Sequence, residues 1–203
     1  VPGVRGLDKA LINKYGDKFK KTSVLPLLRK SFLLNKDIQS ATLFITGLGQ
    51  YELSINGAKT GFAFLSPGWT NYNKAVLYNT YNVTSQLKPG ENAIGVMLGN
   101  GFYNISRERY FKLLTAYGNP KMICRLKIDY TDGSEENIVS DKSWKTTQSP
   151  ITFSNVYGGE SYDARLEQKD WNKGGFKDLA WKNVEILKSP LGKLTPETDY
   201  PVA

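Results

Sequence analysis

From Leu25 onward, hydrophobic and polar residues alternate with a period of two, the spacing of a strand with one buried face. "LLRKSFLL" (27–34) and "ATLFITGLG" (41–49) read as strands, and "QYELSING" (50–57) sets Tyr51, Leu53 and Ile55 on one side and Glu52 and Ser54 on the other. Asn56-Gly57 closes that run. Both residue types tolerate positive φ, so the pair predicts a two-residue hairpin with "AKTGFAFL" (58–65) as its return strand. Further strand patterns follow at "KAVLYNTYNVT", "LKPGENAIGVMLGN", "KMICRLKIDY", "ENIVS", "WKTTQSPITFSNVY", "GGESYDARLE" and "WKNVEIL", with turns at Lys88-Pro89-Gly90 and Asp132-Gly133. Tyr51, Leu53, Ile55, Ile94, Val96, Ile123, Leu126 and Ile128 are the expected core. Helical character is confined to "LDKALINKYGDKF" (7–19) and a turn within "ERYFKLLTAYGN" (108–119). The pattern predicts an all-β fold, an antiparallel β-sandwich of jelly-roll kind over residues 25–190. A basic irregular extension (1–24) precedes it, and residues 191–203 read as a linker.

The net charge of +8 would suggest a nucleic-acid partner, but its position argues otherwise. Residues 1–36 hold nine Lys and Arg, Arg29 among them, against Asp8 and Asp17, so the rest of the chain is nearly balanced. A basic lead-in reads as a solvated extension, whereas nucleic-acid binding calls for a basic stripe across a folded face. The chain has no His and one Cys, Cys124, which excludes Ser–His and Cys–His nucleophile pairs, His-containing zinc sites and an intrachain disulfide. Cys124 sits in a strand pattern and is expected as a buried structural thiol. No apolar run is long enough to span a membrane. The start at Val1 reads as a removed leader or a piece of a longer protein. The residues leave the compartment unknown, with an extracytoplasmic location, periplasmic or secreted, favoured.

Three stretches carry candidate chemistry. In "SPGWTNY" (66–72), Trp69 and Tyr72 follow a Pro-Gly turn, where aromatic rings either stack on a sugar or fold back to close the sandwich, and packing is the favoured reading. In "LGNGFYN" (98–104), two glycines bracket Asn100, with Phe102 and Tyr103 behind it, which fits carbohydrate recognition and a strand-exit turn equally. "GGESYDAR" (158–165) carries Glu160 and Asp163. Residues three apart on a strand point to opposite faces with Cα atoms roughly 10 Å apart, so the two do not readily form a glycosidase couple unless a bulge at Gly158-Gly159 extends into the pair. An Asp163–Arg165 ion pair accounts for one, and ligand or domain contact for the other.

Taken in order, YEL-x-ING, PGWT-x-Y, LG-x-G-x-Y and GE-x-YDAR resemble the N-terminal β-sandwich domain of bacterial α-L-rhamnosidases, over about residues 26–187. The resemblance implies a galactose-binding-like sandwich that is non-catalytic and accessory. It also implies a parent glycoside hydrolase that removes terminal α-L-rhamnose with inversion, its acids in a downstream (α/α)₆ barrel of the same polypeptide. The domain's work would be to support that barrel and to hold rhamnose-containing glycan, or to act as an interdomain scaffold without sugar binding. Asn56, Trp69, Tyr72, Asn100, Phe102, Tyr103 and Glu160 are the rim candidates. Some relatives bind rhamnose with calcium. Asn71, Asn82 and Asn100 stand where Asp is common, and Phe102 where Trp is common. An amide supplies a carbonyl oxygen without charge, so no cofactor is expected and calcium is disfavoured.

Overall fold

The computed structural model describes residues 25–105, 117–188 and 192–198. The basic extension 1–24, with its expected helix, and most of the 108–119 segment lie outside the described residues. The strands are β1 (Pro26–Leu34), β2 (Ile38–Leu48), β3 (Gln50–Ile55), β4 (Ala58–Lys59), β5 (Ala75–Asn82), β6 (Gly90–Gly99), β7 (Lys121–Tyr130), β8 (Glu135–Val139), β9 (Lys145–Gln148), β10 (Ile151–Asn155), β11 (Gly159–Tyr162), β12 (Lys182–Asn183) and β13 (Lys193–Pro196). They form two main sheets, ordered β12-β9-β1-β6-β3-β4 and β13-β5-β2-β7-β8, plus a β10-β11 hairpin. Helix among the described residues is limited to 3₁₀ turns at Thr84–Gln86 and Ala164–Leu166.

Alternation builds the core between the two sheets. Leu28, Leu53, Ile55, Ile94 and Val96 from one sheet meet Leu43, Ile45, Cys124, Leu126 and Ile128 from the other. Trp144 belongs to the same core, fully buried, its indole N–H donating to the Val139 carbonyl at 2.8 Å. Ile123 departs from the expectation and is 52% exposed. It lies one residue out of phase with Cys124, Leu126 and Ile128, and a period of two sends it to the outer face. Asn56 (φ 52°) and Gly57 (φ 87°) form the predicted β3–β4 turn. The return strand is only two residues long, because Gly61 (φ 79°) and Leu65 (φ 57°) break the extended chain into a loop.

Two features depart from the pattern. Lys193–Pro196, expected in a linker, is an edge strand paired in parallel with β5, so the sandwich is not wholly antiparallel. Arg29, counted with the solvated basic charge, is fully buried. It projects from the outer face of β1, opposite Gly95 of β6, and segment 168–181 lies over that face. A side chain at Gly95 would meet Asn172 at 2.6 Å and Trp171 at 2.9 Å, so glycine there lets the segment approach. Arg29 fixes it, donating to the Trp171 carbonyl (2.7 Å), the Lys173 carbonyl (2.7 Å) and the Asp178 carboxylate (2.5 Å), with Phe176 5.3 Å from the guanidinium.

Candidate functional site

Three loop regions converge: residues 60–72, residues 99–104 and the β10–β11 hairpin. Gly49, between β2 and β3, lets that junction approach the second loop, because a Cβ there would fall 2.2 Å from the Gly99 carbonyl oxygen, at φ 109°. Gln50 holds the first loop through the Leu65 carbonyl (3.2 Å), and the Tyr51 amide donates to the Ser66 carbonyl (2.9 Å). The Asn100 amide donates to the Ser154 carbonyl (2.9 Å), which docks the hairpin against the second loop.

On this frame Trp69 does not fold back over the core. It is 55% exposed and stacks on Phe102, with ring centroids 4.7 Å apart and planes 16° apart. Phe102 in turn meets the edge of Tyr157 at 6.3 Å. The result is an aromatic rim built from three separate parts of the chain. Glu160 is exposed on β11, in register with Ser154, and its carboxyl is pushed above the usual carboxylate range by partial burial and then by the neighbouring Glu52.

The remaining candidates are engaged in contacts within the fold. Tyr72 and Tyr103 are buried in a second cluster with Leu48 and Val76, and Tyr117 packs 5.3 Å from Tyr72 and 5.5 Å from Tyr103. Burial pushes the Tyr72 phenol up to about 12. Asn100 is buried and also accepts from the Asn104 amide (3.1 Å). Asn56 belongs to a different neighbourhood: it donates to the Gln86 carbonyl and the Asn92 amide oxygen and accepts from the Ala93 N–H. Asp163 caps the 3₁₀ turn and pairs with Arg165 (2.6 Å), which holds its carboxyl down at about 2, as its spacing from Arg165 led one to expect.

The Asn71 oxygen accepts from the Asn73 amide, and the Asn82 oxygen accepts from the Thr84 amide and hydroxyl, both within tight turns. Among the described residues no group of three or more acidic, His or Cys side chains gathers.

Sequence reasoning missed Tyr157, whose signal was an aromatic residue before Gly158-Gly159 at a hairpin tip. It also missed an open cleft of about 500 Å³ between the 60–63 loop, β5 and the end of β13. At its floor, Glu197 accepts from the Gly68 amide (2.6 Å) and the Asn79 amide (2.5 Å). The Tyr51 hydroxyl donates to Asn79 (2.7 Å) and lies 3.1 Å from the Tyr81 hydroxyl.

Residues 36–203 match the family described as the alpha-L-rhamnosidase N-terminal domain. An alpha-L-rhamnosidase of Formosa agariphila is 44% identical over 157 residues, which are 75% of this chain and 16% of that protein. The solved alpha-L-rhamnosidase of Dictyoglumus thermophilum superposes with TM-score 0.79 at 46% identity, over 87% of this chain and 19% of that one. The Streptomyces avermitilis alpha-L-rhamnosidase, solved with L-rhamnose, gives TM-score 0.81 at 35% identity, over 88% of this chain and 18% of that one. The chain thus spans less than a fifth of the length of each of these three relatives.

Proposed function

The chain belongs to the alpha-L-rhamnosidase N-terminal domain family, and from that premise we propose that it is a carbohydrate-contacting accessory domain of a parent enzyme that hydrolyses terminal α-L-rhamnose. The parent's acids would lie in a downstream (α/α)₆ barrel, and this domain would present rhamnose-containing glycan on its aromatic rim. The observation that carries the reading is the Trp69–Phe102 stack, held half in solvent rather than packed into the core. An aromatic face rigidly held at a surface gives the C–H face of a pyranose a platform at low entropic cost. Glu160, exposed on β11, offers acceptors for ring hydroxyls. Calorimetric titration of the 203-residue chain with L-rhamnose tests this. Trp69→Ala should weaken binding about tenfold, worth ~1.4 kcal/mol, at unchanged thermal stability. A flat titration of the wild type, or an unaffected variant, refutes it.

A scaffold reading is favoured by a different observation. Phe62, Phe64 and Leu65 are 70%, 55% and 61% exposed on one loop that lies, through Phe62, beside the end of β13. Clustered exposed apolar side chains mark an interaction surface, and the downstream barrel is the partner this reading names. Phe62→Ser with Leu65→Ser would then lower the thermal stability of the full-length parent but not of this chain.

A further inference from the structure

The cleft between the 60–63 loop, β5 and Glu197 has the character of a binding site separate from the aromatic rim. Tyr78, Thr80 and Asn82 alternate along β5 and so share one face, and all three line the cleft. Tyr81 completes the wall from the other side of the strand, and Gly61 admits it: a Cβ at Gly61 would lie 2.6 Å from the Tyr81 ring. The opposite wall is also fixed, since the buried Thr60 donates its hydroxyl to the Gln86 side chain at 3.0 Å.

At the floor, Glu197 takes one donor on each carboxylate oxygen, from Gly68 and Asn79. A carboxylate accepts about four hydrogen bonds, so two acceptor positions remain on an oriented group. Burial pushes the Tyr51 and Tyr81 phenols up, so both stay protonated at neutral pH and the network keeps its hydrogens. The volume of about 500 Å³ falls within the range of small-molecule sites. The lining combines aromatic rings, hydroxyls, amides and one carboxylate, with no Lys or Arg. A phosphate or uronate would meet a like charge and no cation. A neutral polyol meets hydroxyl and amide partners and aromatic faces.

We propose that this cleft is a second saccharide subsite that takes one or two neutral pyranose residues and discriminates against uronic acids. The proposal draws only its ligand class from the accessory-domain reading above, and its residues are distinct from the rim. Because Glu197 also holds the Gly68 amide, the cleft is joined by one side chain to the loop that carries Trp69.

The test is an amide-resolved NMR titration of the 203-residue chain with methyl α-L-rhamnopyranoside and, in parallel, with D-galacturonate. The rhamnoside should shift the amides of residues 60–63 and 80–82, and galacturonate should leave them still. Those shifts should persist in Trp69→Ala and fall at least about tenfold in apparent affinity in Thr80→Trp or Ser85→Trp, which fill the cleft from exposed positions. Shifts confined to residues 66–72, 102 and 157 overturn the second subsite and leave the rim reading standing. Cleft shifts that vanish in Trp69→Ala, that survive both filling variants, or that galacturonate reproduces also overturn it. An absence of shifts anywhere overturns both.

Discussion

Replacing Arg29 with Met should be among the most destabilising single changes in this domain. The guanidinium is fully buried and donates to two backbone carbonyls and to Asp178, whose side chain is 20% exposed. Methionine fills a similar volume but leaves the Trp171 and Lys173 carbonyls and a mostly buried carboxylate without their donor. Removing one partner of a buried ion pair costs about 3–5 kcal/mol, and each orphaned buried acceptor costs about 1–3 kcal/mol where water does not reach it. These overlap, since segment 168–181 can lift to rehydrate its own groups, so about 3–5 kcal/mol is the expected total. For a domain of this length that lowers the melting temperature by roughly 10 °C. Urea unfolding monitored by tryptophan fluorescence gives the loss, and limited trypsinolysis at Lys173 and Lys177 reports lifting of the segment. Arg29→Lys should recover little, because one ammonium does not span three acceptors set by a planar fork. A loss under about 1 kcal/mol with unchanged proteolysis would refute the assignment of this segment as a clamped cover.

Three further outcomes follow from the same geometry. Gly49→Ala should cost at least about 2 kcal/mol in urea unfolding, since its Cβ meets the Gly99 carbonyl at 2.2 Å and its φ is 109°. A variant as stable as wild type would contradict the close approach of the β2–β3 junction to Gly99. Asn100→Ala should cost about 2 kcal/mol of stability through loss of its bonds to Ser154 and Asn104, where Trp69→Ala costs almost none; equal stability of the two variants would return Asn100 to the rim. Burial pushes the Cys124 thiol from 9.0 up to about 12, so Ellman's reagent should react with it only after denaturation. Because its pKa is raised in the folded state, its contribution to stability is whole below pH 9 and is lost as pH rises towards 12. Rapid labelling of the native chain at pH 8 would contradict the burial.

Local pattern made most of the sandwich legible. "KMICRLKIDY" coincides with β7, and Asn56-Gly57 turns where its φ tolerance indicates, because both depend on neighbours in sequence. What was not legible depends on partners far along the chain. Arg29 looked like one more solvated cation, and only its meeting with Trp171, Lys173 and Asp178, some 140 residues on, makes it a core residue. Segment 168–181 has no period of either kind, so nothing local announces that it covers a sheet. The same holds at the rim. Trp69 and Tyr72 are three residues apart in one motif, yet one is exposed and the other buried, because Phe102 waits outside for the first and Tyr103 inside for the second. Within "LGNGFYN" the residues divide: the half-buried Phe102 stacks on Trp69, while Asn100 and Tyr103 are buried and hold the turn. Lys193–Pro196 read as linker because an edge strand paired on one side needs no hydrophobic alternation of its own.

The proposed function rests on recognition of a sugar at the exposed aromatic face of Trp69 and Phe102. A crystal structure of this chain soaked in L-rhamnose tests it most directly. The account predicts an intact pyranose ring packed flat against the Trp69–Phe102 pair, with hydroxyls towards Glu160. A rim that stays empty at saturating sugar, its rings covered only by solvent, would contradict it.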